Sequence, residues 1–198
     1  MSSASWRFDF VTLPTTSGPP DNLAAMLIRP GGAHDAPGIA ALHTASWRSA
    51  YAGIMPDEYL SGPMQNDHES NWIARLVDAV SPGLFVAEDG SRIVGFVYLQ
   101  PTNDGRVLLD NLHAAPDRRG RGIGSQLIDK GLTWAATTFP GTPVFLEVLR
   151  DNTAAVAFYE HLGWKQTNTG TAHFPAGFSL AEYEYTWKPV DDEDPLSR

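Results

Sequence analysis

Residues 116–124 read Pro116-Asp117-Arg118-Arg119-Gly120-Arg121-Gly122-Ile123-Gly124, directly after an apolar run that begins at Val107. A helical pattern starts at once behind them. Glycine removes the side chain that would hold a ligand off the main chain. The first turn of a helix leaves its N–H groups unpaired and carries partial positive charge. Together these features form a seat for a phosphate or pyrophosphate. Two familiar phosphate loops are excluded. A Walker A loop ends in Lys-Ser or Lys-Thr, and neither pair occurs in the chain. A dinucleotide loop needs a third glycine where this chain has Ser125, and an acidic strand end where it has the stretch from Phe139 to Thr142. What remains is R-x-x-G-x-G, formed by Arg119, Gly122 and Gly124. Its bland alternative is a glycine-rich turn that holds no ligand.

The next chemistry-bearing stretch is Val144-Phe145-Leu146-Glu147-Val148-Leu149, a short run of strand formers headed by Pro143. It places one carboxylate, Glu147, inside an otherwise apolar segment. Asp151 or Asn152 then caps a helix through Ala154, Ala155, Val156, Phe158 and Tyr159, and Gly163 stops it. The R-x-x-G-x-G loop resembles the acetyl-CoA loop of the GNAT superfamily of N-acetyltransferases. The string from Leu146 to Trp164 resembles the second signature of that superfamily, matching at Asn152, Ala155, Tyr159 and Gly163. The order of the two signatures, with one helix between them, also agrees. The resemblance covers roughly residues 25–188.

The elements that must position these groups follow from the apolar periodicity. An arm and linker are expected over residues 1–23, a single domain over 24–188, and an acidic, disordered tail over 189–198. Strands are predicted at Ala24–Ile28, Leu84–Glu88, Ile93–Leu99, Val107–Ala114, Val144–Leu149 and Tyr183–Trp187, with a hairpin at Asp89-Gly90. Asp35 is expected to cap a helix carrying Ile39, Leu42, His43, Trp47 and Tyr51. Another helix is expected from Asp67 to Val80 with Trp72, Ile73, Leu76 and Val77 on one face, and a third from Ile123 to about Thr138. The class is α/β. The resemblance implies a mixed, mostly antiparallel sheet flanked by helices, with a splayed parallel strand pair at its centre.

Composition excludes several alternatives. The chain has no cysteine, so disulfides, thiolate metal sites and a cysteine nucleophile are ruled out. His43, His113 and His173 lack metal-ligand spacing, and no metal is expected. A net charge of −9 argues against a nucleic-acid partner. No apolar run approaches the ~20 residues of a membrane span, and the first ten residues lack a secretory pattern, so the expected location is cytoplasmic. A homodimer is compatible with the sequence.

The resemblance implies acetyl-CoA as acetyl donor. Its pyrophosphate is expected on the N–H groups of Arg119, Gly120, Arg121, Gly122, Ile123, Gly124 and Ser125, and its pantetheine arm along the strand edge Leu112-His113-Ala114. Asn152, Ala155 and Tyr159 complete the donor site. The chemistry is attack of a primary amine, on a small molecule or peptide, at a thioester. It needs a base for the amine proton and an acid for the thiolate. Tyr159 is the expected acid. Glu147 is the expected base, because a carboxylate among apolar neighbours binds its proton more tightly. The spacing of Glu147 and Tyr159 also resembles that of the base and acid in N-terminal acetyltransferases of ribosomal proteins. Asp110 is the rival base, expected to share a strand face with Leu108 and Leu112. Trp47, Arg48 and Tyr51, with a loop over residues 168–179, are expected to form the acceptor pocket; the same aromatic residues would also suit a core. The competing function is an acyl-CoA-binding module without chemistry, and CoA release with a panel of amines separates the two.

Overall fold

A computed structural model describes residues 26–77 and 83–187. The expected N-terminal arm, residues 1–23, and the acidic tail, residues 189–198, lie outside the described residues. Seven strands form one sheet: β1 (Leu27–Pro30), β2 (Gly83–Asp89), β3 (Arg92–Pro101), β4 (Val107–Ala114), β5 (Val144–Leu149), β6 (Lys165–His173) and β7 (Ser179–Trp187). Their spatial order is β1-β2-β3-β4-β5-β7-β6. Every neighbouring pair is antiparallel except β4 and β5, which are parallel. Among the described residues five α-helices flank the sheet: α1 (Ala36–Ala50), α2 (Asp57–Ser61), α3 (Met64–Leu76), α4 (Ile123–Thr138) and α5 (Thr153–His161). The α/β class and the central parallel pair agree with the expectation from sequence. No helix among the described residues is long and apolar enough to cross a membrane.

The two faces of β3 receive different helices because side chains alternate along a strand. Gly95 and Leu99 face α4: a Cβ on Gly95 would lie 2.6 Å from Ile123 and 2.9 Å from Leu127. Phe96 and Tyr98 face α3, with ring centroids 5.3 and 5.4 Å from Trp72. The core is thus a sheet sandwiched between α4 and the pair α1 and α3. A smaller apolar cluster, Met55, Leu60, Met64 and Leu149, lies under the β6–β7 tip.

Four expectations change. The buried stripe of α3 is Met64, His68, Trp72 and Leu76, spaced four apart. Ile73 and Val77 are 49 and 65% exposed, because that spacing turns them away from the sheet. Asp35 occupies the N-cap position of α1 but its side chain makes no capping bond; its carboxylate accepts from the Gly32 N–H at 2.9 Å and from the Arg29 guanidinium at 2.7 and 2.9 Å. The segment expected to be a loop at 168–179 is mostly two strands joined by a turn over 174–178. Strand β6 is polar, threonine-rich and almost wholly exposed, so it offers no apolar alternation to read. Finally, a β-bulge interrupts β4. Tyr98 pairs with Asn111 and Leu99 with Leu109, which leaves Asp110 unopposed. Leu112 pairs with Val97 and so faces α4, whereas Asp110 meets Arg75 of α3. The expected shared face of Asp110 and Leu112 therefore does not exist.

Gly95 is the seat on which α4 begins. Gly95→Ala places a methyl group against Ile123 and Leu127, and should lower stability by about 1–3 kcal/mol as overpacking does. Urea denaturation of the variant checks this; an unchanged midpoint would show that α4 is free to shift.

Candidate active site

The parallel pairing of β4 and β5 is confined to Val107↔Val144 and Leu108↔Phe145. Beyond it β4 stays with β3, and β5 stays with β7. The strands splay, and a cleft of about 700 Å3 opens between them. Its walls are residues 109–114 of β4, Glu147 and Val148 of β5, and Ala154, Ala155, Phe158 and Tyr159 of α5. Tyr51 and Ser46 of the α1 region complete it.

The glycine loop forms one end of this cleft, through Arg119, Gly120, Gly122, Ile123, Gly124 and Ser125. Gly122 is the N-cap of α4 with φ +73° and ψ +9°, and Gly120 has φ +75°. Both lie in the left-handed region that favours glycine. Among the described residues, chain neighbours aside, no atom lies within 4 Å of a Cβ position on Gly120, and only the Gln126 side chain, at 3.8 Å, approaches that of Gly122. The main chain is open to a ligand there, next to the unpaired N–H groups of the first turn. Gly124 has a second cause: its Cβ would sit 3.2 Å from Phe158, so it sets the contact of α4 with α5. Arg121 is exposed and lies outside the cleft lining. Arg118, which sequence reasoning passed over, lines the cleft and is paired with Asp89 at 2.6 Å.

Asn152 caps α5, its side-chain oxygen accepting from the Ala155 N–H at 3.3 Å. This fixes the helix that carries Tyr159. Burial raises the pKa of the Tyr159 phenol well above its usual value, and the Tyr51 phenol adds to the effect. The group therefore stays protonated. No hydrogen bond among the described residues occupies the Tyr159 hydroxyl, so it is free to donate.

Glu147 departs from the expected buried setting: it is the exposed residue of an otherwise buried strand, and it opens into the cleft. Its pKa is still raised. Desolvation by the cleft walls is the main cause, followed by the charges of Glu184, directly opposite on β7, and Asp110. Asp110 differs sharply. Its carboxylate forms an ion pair with Arg75 and accepts from the Asn111 amide at 3.0 Å. Arg75 and Asp110 are 35 positions apart, and no motif marks the pair.

The expected acceptor trio is divided. Tyr51 lines the first cleft. Trp47 lines a second cleft of about 660 Å3, with Tyr59, Asp67, Trp72, Arg75 and Pro175. Arg48 lines neither; its Nε donates to the Leu60 carbonyl at 2.9 Å and braces α2. The two clefts share Asp110 and Asn111. His43 and His68 line the second cleft and His113 the first; His43 stacks on His68 at 3.9 Å and meets His113 at 4.5 Å. Burial depresses all three histidines, His113 to about 3, so they are neutral rings. Their Nδ1 atoms are engaged by Trp72 Nε1 (3.3 Å), Thr44 Oγ1 (2.9 Å) and Ser46 Oγ (3.0 Å), respectively. His113 thus lines the donor-side cleft as a packed wall.

Comparison with known proteins agrees with this geometry. Residues 42–164 match the model of the acetyltransferase (GNAT) family. The chain belongs to that family and is an acetyltransferase. A probable N-acetyltransferase of Mycobacterium tuberculosis is 25% identical over 162 residues, covering 79% of this chain and 81% of the relative. An uncharacterised N-acetyltransferase of Bacillus subtilis is 30% identical over 110 residues, covering 52% of this chain and 61% of the relative. Among solved structures, the PaiA N-acetyltransferase of Thermoplasma acidophilum in complex with coenzyme A superposes with a TM-score of 0.68 at 21% identity, covering 82% of this chain and 99% of the other.

Gly122→Val tests the loop. It forces a branched residue into a left-handed conformation and places its side chain where the main chain is open. Calorimetry should show acetyl-CoA affinity reduced by about tenfold or more. Unchanged affinity would remove the loop from the binding site.

Proposed function

We propose that this acetyltransferase moves the acetyl group of acetyl-CoA to a primary amine, on a small molecule or peptide, by direct attack in a ternary complex. One observation carries the reading: the gap between β4 and β5 has a bare helix N-terminus at one end and Glu147 and Tyr159 on its walls. The open main chain at Gly120 and Gly122 fits a pyrophosphate. The unpaired flank of β4 from Leu109 to Ala114 fits the amides of an extended pantetheine arm. The amine would enter by the second cleft, which meets the first at Asp110 and Asn111.

In this arrangement Glu147 takes a proton from the amine as the nitrogen forms its bond to the thioester carbonyl carbon. Tyr159 gives its phenolic proton to the sulfur as the carbon–sulfur bond breaks. The raised pKa of Glu147 suits a base at neutral pH, and that of Tyr159 keeps the proton available for donation. The Arg75 ion pair counts against Asp110 as the base.

Because the Glu147 pKa is raised, kcat/KM should rise with pH through that ionisation and level off above it. Glu147→Gln should lower kcat/KM by ~10²-fold or more at neutral pH and flatten this acidic limb, as loss of a general base does. Tyr159→Phe should keep acetyl-CoA affinity and lose kcat. CoA release followed by a thiol reagent measures both. Full kcat in Tyr159→Phe would assign that phenol to packing, and an acidic limb retained in Glu147→Gln would move the base elsewhere.

A further inference from the structure

We infer that Asp110 anchors the ammonium group of the acceptor, and that Arg75 is the positioning residue that presents the carboxylate. The inference rests on the transferase reading and names how its acceptor is held. Asp110 is the unopposed residue of the β4 bulge, a placement that re-aims a side chain. It lines both clefts, where the amine and the thioester must meet. Both of its contacts fall on one oxygen: Arg75 Nη1 and Asn111 Nδ2 reach Oδ2. No hydrogen bond among the described residues reaches Oδ1. An ionised carboxylate with one oxygen tied and the other free accepts an N–H in a set direction.

Arg75 is itself held. Its guanidinium lies 5.6 Å from the Trp72 ring and 5.8 Å from the Tyr98 ring, a cation beside a T-shaped aromatic pair. Glu147 of β5 and Tyr98 of β3 also lie within electrostatic reach of Asp110. Behind Glu147 stand Glu184 and Glu182 of β7, the former paired with Arg106 at 3.1 Å. His43 of α1 lies within electrostatic reach of Arg75 and is neutral. Four carboxylates against two guanidinium groups leave the junction negative, which matches a cation. The ligand class that fits is a primary alkylammonium, charged at neutral pH, in preference to an aromatic amine, which is neutral there. Asp110 holds one N–H of the incoming ammonium while Glu147 removes the first proton and frees the lone pair; the second leaves the nitrogen for the Tyr159 phenolate once the phenol has protonated the departing sulfur.

The test uses the full chain with acetyl-CoA and, in turn, n-butylamine, benzylamine, 1,4-diaminobutane and an alanine-terminated tripeptide. Asp110→Asn should raise KM for the amine about tenfold or more, with kcat within about threefold and KM for acetyl-CoA unchanged. It should retain the acidic limb. Arg75→Met keeps an apolar stem against Trp72 and Tyr98 and should move the same constant in the same direction; Arg75→Lys should restore part of it. A merely structural pair would not single out the amine KM. Wild-type amine KM in Asp110→Asn, or a loss of kcat together with the acidic limb, would overturn the anchor and leave the transferase reading standing. Absence of turnover with every amine in the wild-type chain would count against the transferase reading itself.

Discussion

The parallel pairing of β4 and β5 stops after two residue pairs, and the rest of the site depends on that stop. Val107 and Leu108 are held to Val144 and Phe145, while each strand keeps its outer antiparallel neighbour along its length. The inner flanks beyond are left without a strand partner. Main-chain polar groups in such a position need water or a ligand. The sheet thus carries, at its centre, an edge that an extended amide-containing chain can complete. The bulge at Asp110 falls on this flank, so the residue that escapes the ladder is also the one delivered to the opening.

Charge is distributed along the opening in an ordered way. The loop end offers helix N–H groups and suits an anion. The middle, at Asp110 and Glu147, is acidic, with Glu184 directly across from Glu147. Like charges directly opposite in a sheet are destabilising. Here they hold the Glu147 proton more tightly, while Arg106 and Thr167 tie Glu184 down at 3.1 and 2.8 Å. Two carboxylates of the same site are thereby set apart: Asp110 is paired with a guanidinium, and Glu147 is crowded by acids. In the proposed mechanism the paired carboxylate is the anchor and the crowded one is the base.

Much of this was readable from the chain because it was encoded locally. The loop, the Asn152 cap, Tyr159 and the apolar runs of β4 and β5 are contiguous motifs whose backbone consequences follow from residue type. What escaped was of two kinds. Strand β6 is a polar edge strand, formed because β7 pairs with it and not because it buries a face. The Arg75–Asp110 pair, the bulge and the histidine stack join residues far apart in sequence, and a bulge leaves no trace in an alternation of eight residues. The exposed state of Glu147 was missed for the same reason. Its neighbours in sequence are buried, but Glu147 opens into the cleft between the splayed strands.

The most direct test of the account is a crystal structure with acetyl-CoA bound. The account predicts the pyrophosphate on the main-chain N–H groups between Gly120 and Ser125, the pantetheine amides paired with β4 between Leu109 and Ala114, and the acetyl group between Glu147 and Tyr159. A cofactor bound outside the gap, or bound with β4 and β5 zipped together along their length, would contradict it.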